Sequence, residues 1–192
     1  MTINENLDAL SFWRWIEFKL NSGQIDDIFF AELDKKLSYF GFDSWEFGPF
    51  PSGGDYLAIS PAGSRERLKD CQNFIKNAPN ITGWKFLPAK PAKQWNRIFE
   101  WSRSGDRICA IDWKFNMYSY PDGMHEIVLI KDSMGKLDKK NKLSILEFVI
   151  DSEIGEEKSI EKICKFDVSD NPNESDLSQC MDLDGVKAAI DR

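Results

Sequence analysis

The chain has 192 residues, a length that suits a single folded unit with a sizeable hydrophobic core. Hydrophobic residues make up 42% of the chain and aromatic residues 13%, and a disordered chain would not leave so much apolar surface in water. The 32 acidic residues outnumber the 25 basic ones and give a net charge of −7. Such a charge repels nucleic-acid phosphates and anionic lipid and favours a basic or neutral protein partner. We therefore expect neither a nucleic-acid partner nor a membrane partner.

Histidine and cysteine usage argues against a metal centre. His125 is the single histidine, whereas most catalytic zinc sites use two or three imidazoles. The four cysteines (Cys71, Cys109, Cys164 and Cys180) form no C-x-x-C pair. Residues 1–10 lack the basic and apolar regions of a secretory leader, so we expect reduced thiols in a cytoplasmic protein. The sequence thus predicts no metal and no cofactor.

The first half of the chain predicts two helices, a β-hairpin, a third helix and a strand. Apolar residues at helical spacing predict helices over 7–20 and 25–40, the second ending at Gly41, and the short connection favours an antiparallel helical hairpin. A β-hairpin over 45–60 follows. A helix over 64–77, capped by Ser64, and an edge strand over 84–89 come next.

The clearest β pattern runs from Ile98 to Lys131. Apolar and polar residues alternate there, and turns at 104–106 and 120–123 divide the pattern into a predicted three-stranded antiparallel meander. A helix over 143–154, ending at Gly155, and a last strand over 160–168 complete the prediction. The expected fold is a single α+β domain, with an antiparallel sheet of about six or seven strands and four helices mainly on one face.

The composition changes after Val168. Residues 169–192 carry six acidic and two basic side chains and few large apolar ones, so they cannot form a core of their own. We predict a globular domain over 1–168 and an acidic C-terminal arm over 169–192, either disordered or docked. Asp184-Gly185 favours a short helix over 186–190 that docks on the body or on a partner.

A few side chains are candidates for catalysis. His125 could act as the base for a thiol at Cys109 or Cys164, but both cysteines fall on apolar faces of predicted strands, where thiols are usually inert. Acidic residues on predicted polar faces or at a helix end, including Glu153, are expected to be solvated. A hydrolase or transferase that uses carboxylates or a Cys/His pair stays open as an alternative.

Five stretches carry a resemblance to known proteins: Phe12-Trp13-Arg14-Trp15, Leu57 to Gly63 (LAISPAG), Ala78-Pro79, Gly83-Trp84-Lys85-Phe86 and Ile154-Gly155-Glu156. Together they resemble an uncharacterised family of small bacterial cytosolic α+β proteins. The resemblance implies a bacterial, cytosolic domain and brings no known activity to this chain. The acidic arm lies outside it.

The leading functional hypothesis is a non-enzymatic, acidic protein-binding module. Small size, negative charge and many aromatic residues suit an immunity-type or antitoxin-like inhibitor that covers the basic active site of a bacterial toxin. A scaffold that forms a homodimer through the strand near Trp84 is the further alternative. The candidate contact residues, chosen as exposed aromatic or acidic side chains, are Trp95, Trp101, Asp112, Glu126, Asp182 and Asp184.

Overall fold

The computed structural model describes residues 3–101, 105–135, 137–169 and 173–191. The chain divides into two compact units, Met1–Lys90 and Pro91–Arg192, which we call the N-terminal and the C-terminal unit. No helix in the described residues has the length and hydropathy needed to cross a membrane.

The N-terminal unit follows the predicted order of elements. They are α1 (Ile3–Asn21), α2 (Asp27–Tyr39), β1 (Trp45–Pro49), β2 (Asp55–Ile59), α3 (Arg65–Ile75) and β3 (Trp84–Leu87). The sheet order is β1-β2-β3, with β1 antiparallel and β3 parallel to β2. Because α3 crosses over between β2 and β3, the two strands can run parallel. Since β3 is the last strand in the sheet order, it is an edge strand, as the sequence predicts.

Local signals set the ends of these helices. The side chain of Ser64 accepts a hydrogen bond from the Arg67 N–H at 3.3 Å and caps α3, which confirms the predicted cap. Gly41 follows α2 with φ +80°, a conformation that glycine adopts without strain. Its N–H donates to the Ser38 carbonyl, and the Phe42 N–H reaches back to Leu37, which is the Schellman pattern of a helix end.

The C-terminal unit contains more elements than the sequence predicts. They are β4 (Ile98–Trp101), β5 (Asp106–Cys109), β6 (Lys114–Ser119), β7 (His125–Lys131), α4 (Lys139–Ile154), α5 (Glu156–Lys162), β8 (Ile163–Val168), α6 (Glu174–Ser178) and α7 (Leu183–Ile190). The strands β4 and β5 form a two-stranded antiparallel sheet. In the order β6-β7-β8, β6 is antiparallel and β8 parallel to β7.

The mixed α/β class is confirmed, but the single antiparallel sheet is wrong. The described residues form three small sheets of two or three strands and seven helices instead of four. The predicted meander breaks at Ala110–Trp113, where the backbone turns so that Trp113 enters the core, 1% exposed, while Ile111 stays 47% exposed. The indole N–H of Trp113 donates to the hydroxyl of Ser133 at 3.1 Å. Part of the predicted turn at 104–106 lies outside the described residues.

The predicted last strand over 160–168 is shorter than expected. Its first residues belong to α5, and β8 begins at Ile163. Gly155, with φ +87°, separates α4 from α5, which confirms the predicted end of the helix. Because α4 and α5 cross over between β7 and β8, β8 pairs parallel to β7.

Each unit has its own hydrophobic core. In the N-terminal unit, rings from α1, α2 and α3 pack with β2, and Phe29 and Phe74 are fully buried. In the C-terminal unit, α4 shares a core with residues of β6 and β7 and packs against β8 and α7, and α7 contributes Leu183, Val186 and Ile190. Residue Met181, just before α7, forms an antiparallel bridge with Phe115 of β6. The described part of the predicted acidic arm therefore includes a helix docked on this core.

Candidate functional site

Four partly buried rings of the C-terminal unit form what we call the aromatic patch: Trp95, Phe99, Trp101 and Phe148. Phe99 and Trp101 alternate along β4 and so point to the same side of the strand. Phe148 of α4 has its ring centroid 4.9 Å from that of Phe99 and 5.8 Å from that of Trp101. Trp95, in the loop before β4, lies 5.6 Å from Phe99 and 5.8 Å from Phe148. Two of the candidate contact residues thus belong to one cluster.

A buried carboxylate supports the patch from α4. Glu153 is 7% exposed and accepts the indole N–H of Trp95 at 3.0 Å. Arg97 binds both oxygens of Glu153, through Nε at 2.8 Å and Nη2 at 3.0 Å. A bidentate guanidinium–carboxylate pair is among the stronger polar contacts in proteins. The expectation that Glu153 is solvated is therefore wrong: Trp95 and Arg97 compensate for its burial.

Arg97 links this pair to the C-terminal helix. Its Nη2 atom also donates to Asp184 Oδ1 at 2.5 Å, and the side chain of Asp184 is 75% exposed. The bond to Glu153, followed by the bond to Asp184, raises the pKa of Arg97, and Arg97 in turn lowers the pKa of Asp184. Arg97 has φ +60°, a strained conformation for a residue with a side chain. Its contacts hold the backbone in this conformation.

The network brings together three of the six candidate contact residues, Trp95, Trp101 and Asp184. Asp182 lies two residues before Asp184 and caps α7 by accepting the Gly185 N–H at 2.8 Å. Asp112 lies exposed in the turn between β5 and β6. Glu126 lies on β7, where it is partly buried. No contact joins Asp112 or Glu126 to the aromatic patch within the described part of the chain.

Glu126 belongs to a line of charges across β7 and β8. It accepts hydrogen bonds from Tyr120 at 2.8 Å and from Lys165. Both bonds lower the pKa of Glu126, and the bond to Lys165 has the larger effect. Asp167 on β8 binds Lys139 at 2.8 Å and the N–H of Val168 at 2.8 Å. These contacts lower the pKa of Asp167 from 3.8 to about 2, with the bond to Lys139 as the main cause.

We expect this low pKa of Asp167 to appear in the acid unfolding of the protein. Because the folded-state pKa lies below the ordinary value, the stabilisation is present above about pH 4 and disappears as the pH falls towards 2. Asp167→Asn should remove this part of the pH dependence, as followed by urea unfolding at a series of pH values. An NMR titration of the Asp167 carboxyl carbon should have its midpoint near 2, and a midpoint near 3.8 would contradict the prediction.

The Cys/His alternative gains no geometric support. The ring of His125 bonds through Nδ1 to the hydroxyl of Ser119 at 2.9 Å. The thiol of Cys164 donates to the main-chain carbonyl of His125 at 3.2 Å, so that this contact does not reach the imidazole. Cys109 lies on β5, in a different sheet from His125. Among the described residues, no group of three or more His, Cys, Asp or Glu side chains could hold a metal ion.

The N-terminal unit contains a cleft that the sequence analysis missed. Its volume is about 610 Å³, within the range of ligand sites. It lies between the start of α1, the end of α2 and one face of α3. The lining residues are Asp8, Tyr39, Phe40, Gly41, Phe42, Arg67, Asp70, Asn73 and Phe74. The spacing of Arg67, Asp70 and Phe74 places them on one helix face, which is the signal that could have indicated the cleft.

Comparison with known proteins gives no match: no family model, no curated protein and no solved structure matches the chain. The stretches that carry the family resemblance lie at structural landmarks of the fold. The tryptophans of Phe12 to Trp15 are on α1, Leu57 to Gly63 joins β2 to α3, and Gly83 to Phe86 opens β3. Ile154-Gly155-Glu156 is the junction of α4 and α5.

Proposed function

We propose that the protein is a non-enzymatic binding module that inhibits a bacterial toxin by covering the toxin's basic active site, as immunity-type proteins do. The observation that carries the proposal is the aromatic patch with the exposed carboxylate of Asp184 linked to it through Arg97 and Glu153. Large aromatic side chains are enriched among the residues that dominate binding energy at protein interfaces.

The support beneath the patch suits such a role. Trp95 is fixed at its indole nitrogen by Glu153, and the four rings hold one another through contacts of 4.9 to 6.3 Å. A side chain that is already ordered loses less conformational entropy when a partner binds. The rings would therefore act as pre-positioned anchors.

The charge distribution favours a basic partner. The chain carries a net charge of −7, and Asp184 offers an exposed carboxylate next to the patch. Negative charge on one partner and positive charge on the other accelerate association and discriminate against wrong partners. A toxin that binds an anionic substrate presents the required positive charge.

The test uses the toxic domain encoded by a gene that neighbours the gene of this protein. We expect the purified full chain to bind that domain and to restore the growth of cells that express it. Trp101→Ala should weaken the complex about tenfold or more, because it removes one of the two tryptophan rings of the patch. Binding can be measured by isothermal titration calorimetry and growth in a plate assay. Absence of both a complex and growth rescue would refute the proposal.

Trp45→Ala is the matched control. Trp45 is also partly buried, its indole N–H bonds to Asp34 at 3.1 Å, and its ring stacks on Phe30, but it belongs to the N-terminal unit. Both substitutions remove one partly buried tryptophan. If Trp45→Ala weakened the complex as much as Trp101→Ala, the aromatic patch would not be the contact surface.

A further inference from the structure

The cleft of the N-terminal unit has an aromatic floor. Phe74 of α3 is fully buried, and its ring centroid lies 4.9 Å from that of Phe40 and 5.0 Å from that of Phe42. The ring of Tyr39, 72% exposed, meets Phe40 edge to face at 5.2 Å. The faces of aromatic rings attract cations as well as apolar groups.

Carboxylates border this floor. Asp8 of α1 accepts the hydroxyl of Tyr39 at 3.1 Å, and Asp70 projects from α3. In the part of the chain that the structure describes, neither carboxylate forms an ion pair. A cation that enters would find an aromatic surface and two carboxylates, the combination that favours guanidinium and ammonium groups.

The cleft also contains one cation, Arg67. Its guanidinium donates to the main-chain carbonyl of Gly41, the residue that ends α2. That bond holds the guanidinium at the α2 end of the cleft. The two carboxylates still outnumber it, so the charge of the lining is net negative.

We infer that this cleft accepts the guanidinium or ammonium group of an arginine or lysine side chain presented by a protein partner. That the basic side chain comes from a protein partner rests on the proposed protein-binding function, whereas the affinity of the cleft for a cation does not. The stem of the basic side chain packs on Tyr39 and Phe40, the more exposed rings of the lining, and its charged end pairs with the carboxylates of Asp8 and Asp70. The net charge of −7 favours a partner that carries such side chains.

The experiment uses the full chain, labelled with ¹⁵N, and a single side chain in place of a partner. N-acetyl-arginine methylamide is titrated, with N-acetyl-citrulline methylamide as an uncharged probe of nearly the same shape. We expect the arginine probe to shift the amide signals of 39–42 and 70–74 with a dissociation constant on the order of millimolar. The citrulline probe should bind at least about fivefold more weakly. Equal binding of the two probes, or no shifts with arginine, would overturn the inference.

Asp70→Asn tests the carboxylate directly. It should weaken binding of the arginine probe at least about threefold. Glu66→Gln removes the same charge from the exposed first turn of α3, outside the cleft lining, and should leave the dissociation constant unchanged. If the two variants behaved alike, only overall charge would matter and the site would be refuted. Because no toxin is present, failure here is distinguishable from failure of the proposed inhibitory function.

Discussion

Replacing Glu153 by alanine is expected to lower the free energy of unfolding by about 3 kcal/mol. The substitution leaves the indole N–H of Trp95 without its acceptor. Arg97 loses one of its two carboxylate partners and keeps Asp184. Glu153 is 7% exposed, so water reaches the vacated position poorly. The loss is costly because the Trp95 indole and the Arg97 guanidinium both lose hydrogen bonds to a carboxylate in a poorly hydrated position.

Urea unfolding followed by circular dichroism measures this loss. Asp184→Asn is the control, because it removes the exposed carboxylate of the same network and should have a much smaller effect. The double variant Glu153→Met with Arg97→Met should be more stable than Glu153→Ala alone, because it leaves no unpaired charge in the buried position and the Asp184 carboxylate that it releases is exposed. An effect of Glu153→Ala no larger than that of Asp184→Asn would show that the buried pair contributes little.

The sequence predicted the N-terminal unit well because its signals are local. Gly41 and Ser64 fix helix ends through their own backbone and side-chain chemistry, without reference to distant residues. The edge position of β3 followed from Pro88, which cannot donate to a neighbouring strand. Boundaries that depend on a few neighbouring residues can be derived from the chain itself.

The C-terminal unit was predicted less well because alternation does not specify which strands pair. The period-two pattern through Cys109, Ile111 and Trp113 is genuine, yet the backbone turns there and Trp113 is buried without being part of a strand. A register one residue away would reverse the faces of the strand, and packing around Trp113 decides the outcome. Parallel pairing of β8 depends equally on where α4 and α5 lead the chain.

In the candidate site, too, local features could be predicted from the sequence and long-range contacts could not. Trp95 and Trp101 could be proposed from sequence because a tryptophan outside a periodic pattern is often partly exposed, and both are. Their support could not, since Glu153 lies 56 residues from Arg97 and Asp184 lies 87 residues from it. Nothing in the local pattern separates Glu153 from Glu147, an exposed acidic residue of the same helix.

Phe74→Ala is expected to destabilise the N-terminal unit by about 3 to 5 kcal/mol. Phe74 is fully buried, and its ring lies within 5.3 Å of those of Phe12, Trp13, Phe40 and Phe42. Alanine leaves a cavity at the centre of these rings, and every neighbour loses contacts that the surrounding residues cannot fully restore. Hydrogen exchange of the amides in α1, α2 and α3 should accelerate accordingly.

Phe18→Ala provides the comparison, because Phe18 of α1 is 64% exposed and its loss should change the free energy of unfolding by less than about 0.5 kcal/mol. If the two alanine variants had equal stability, the aromatic core would not be the main source of stability in this unit. Phe74→Leu should retain most of the stability because it refills much of the volume. It should also retain binding of the arginine probe, which Phe74→Ala should lose, because the floor of the cleft depends on a side chain of that size beneath Phe40 and Phe42.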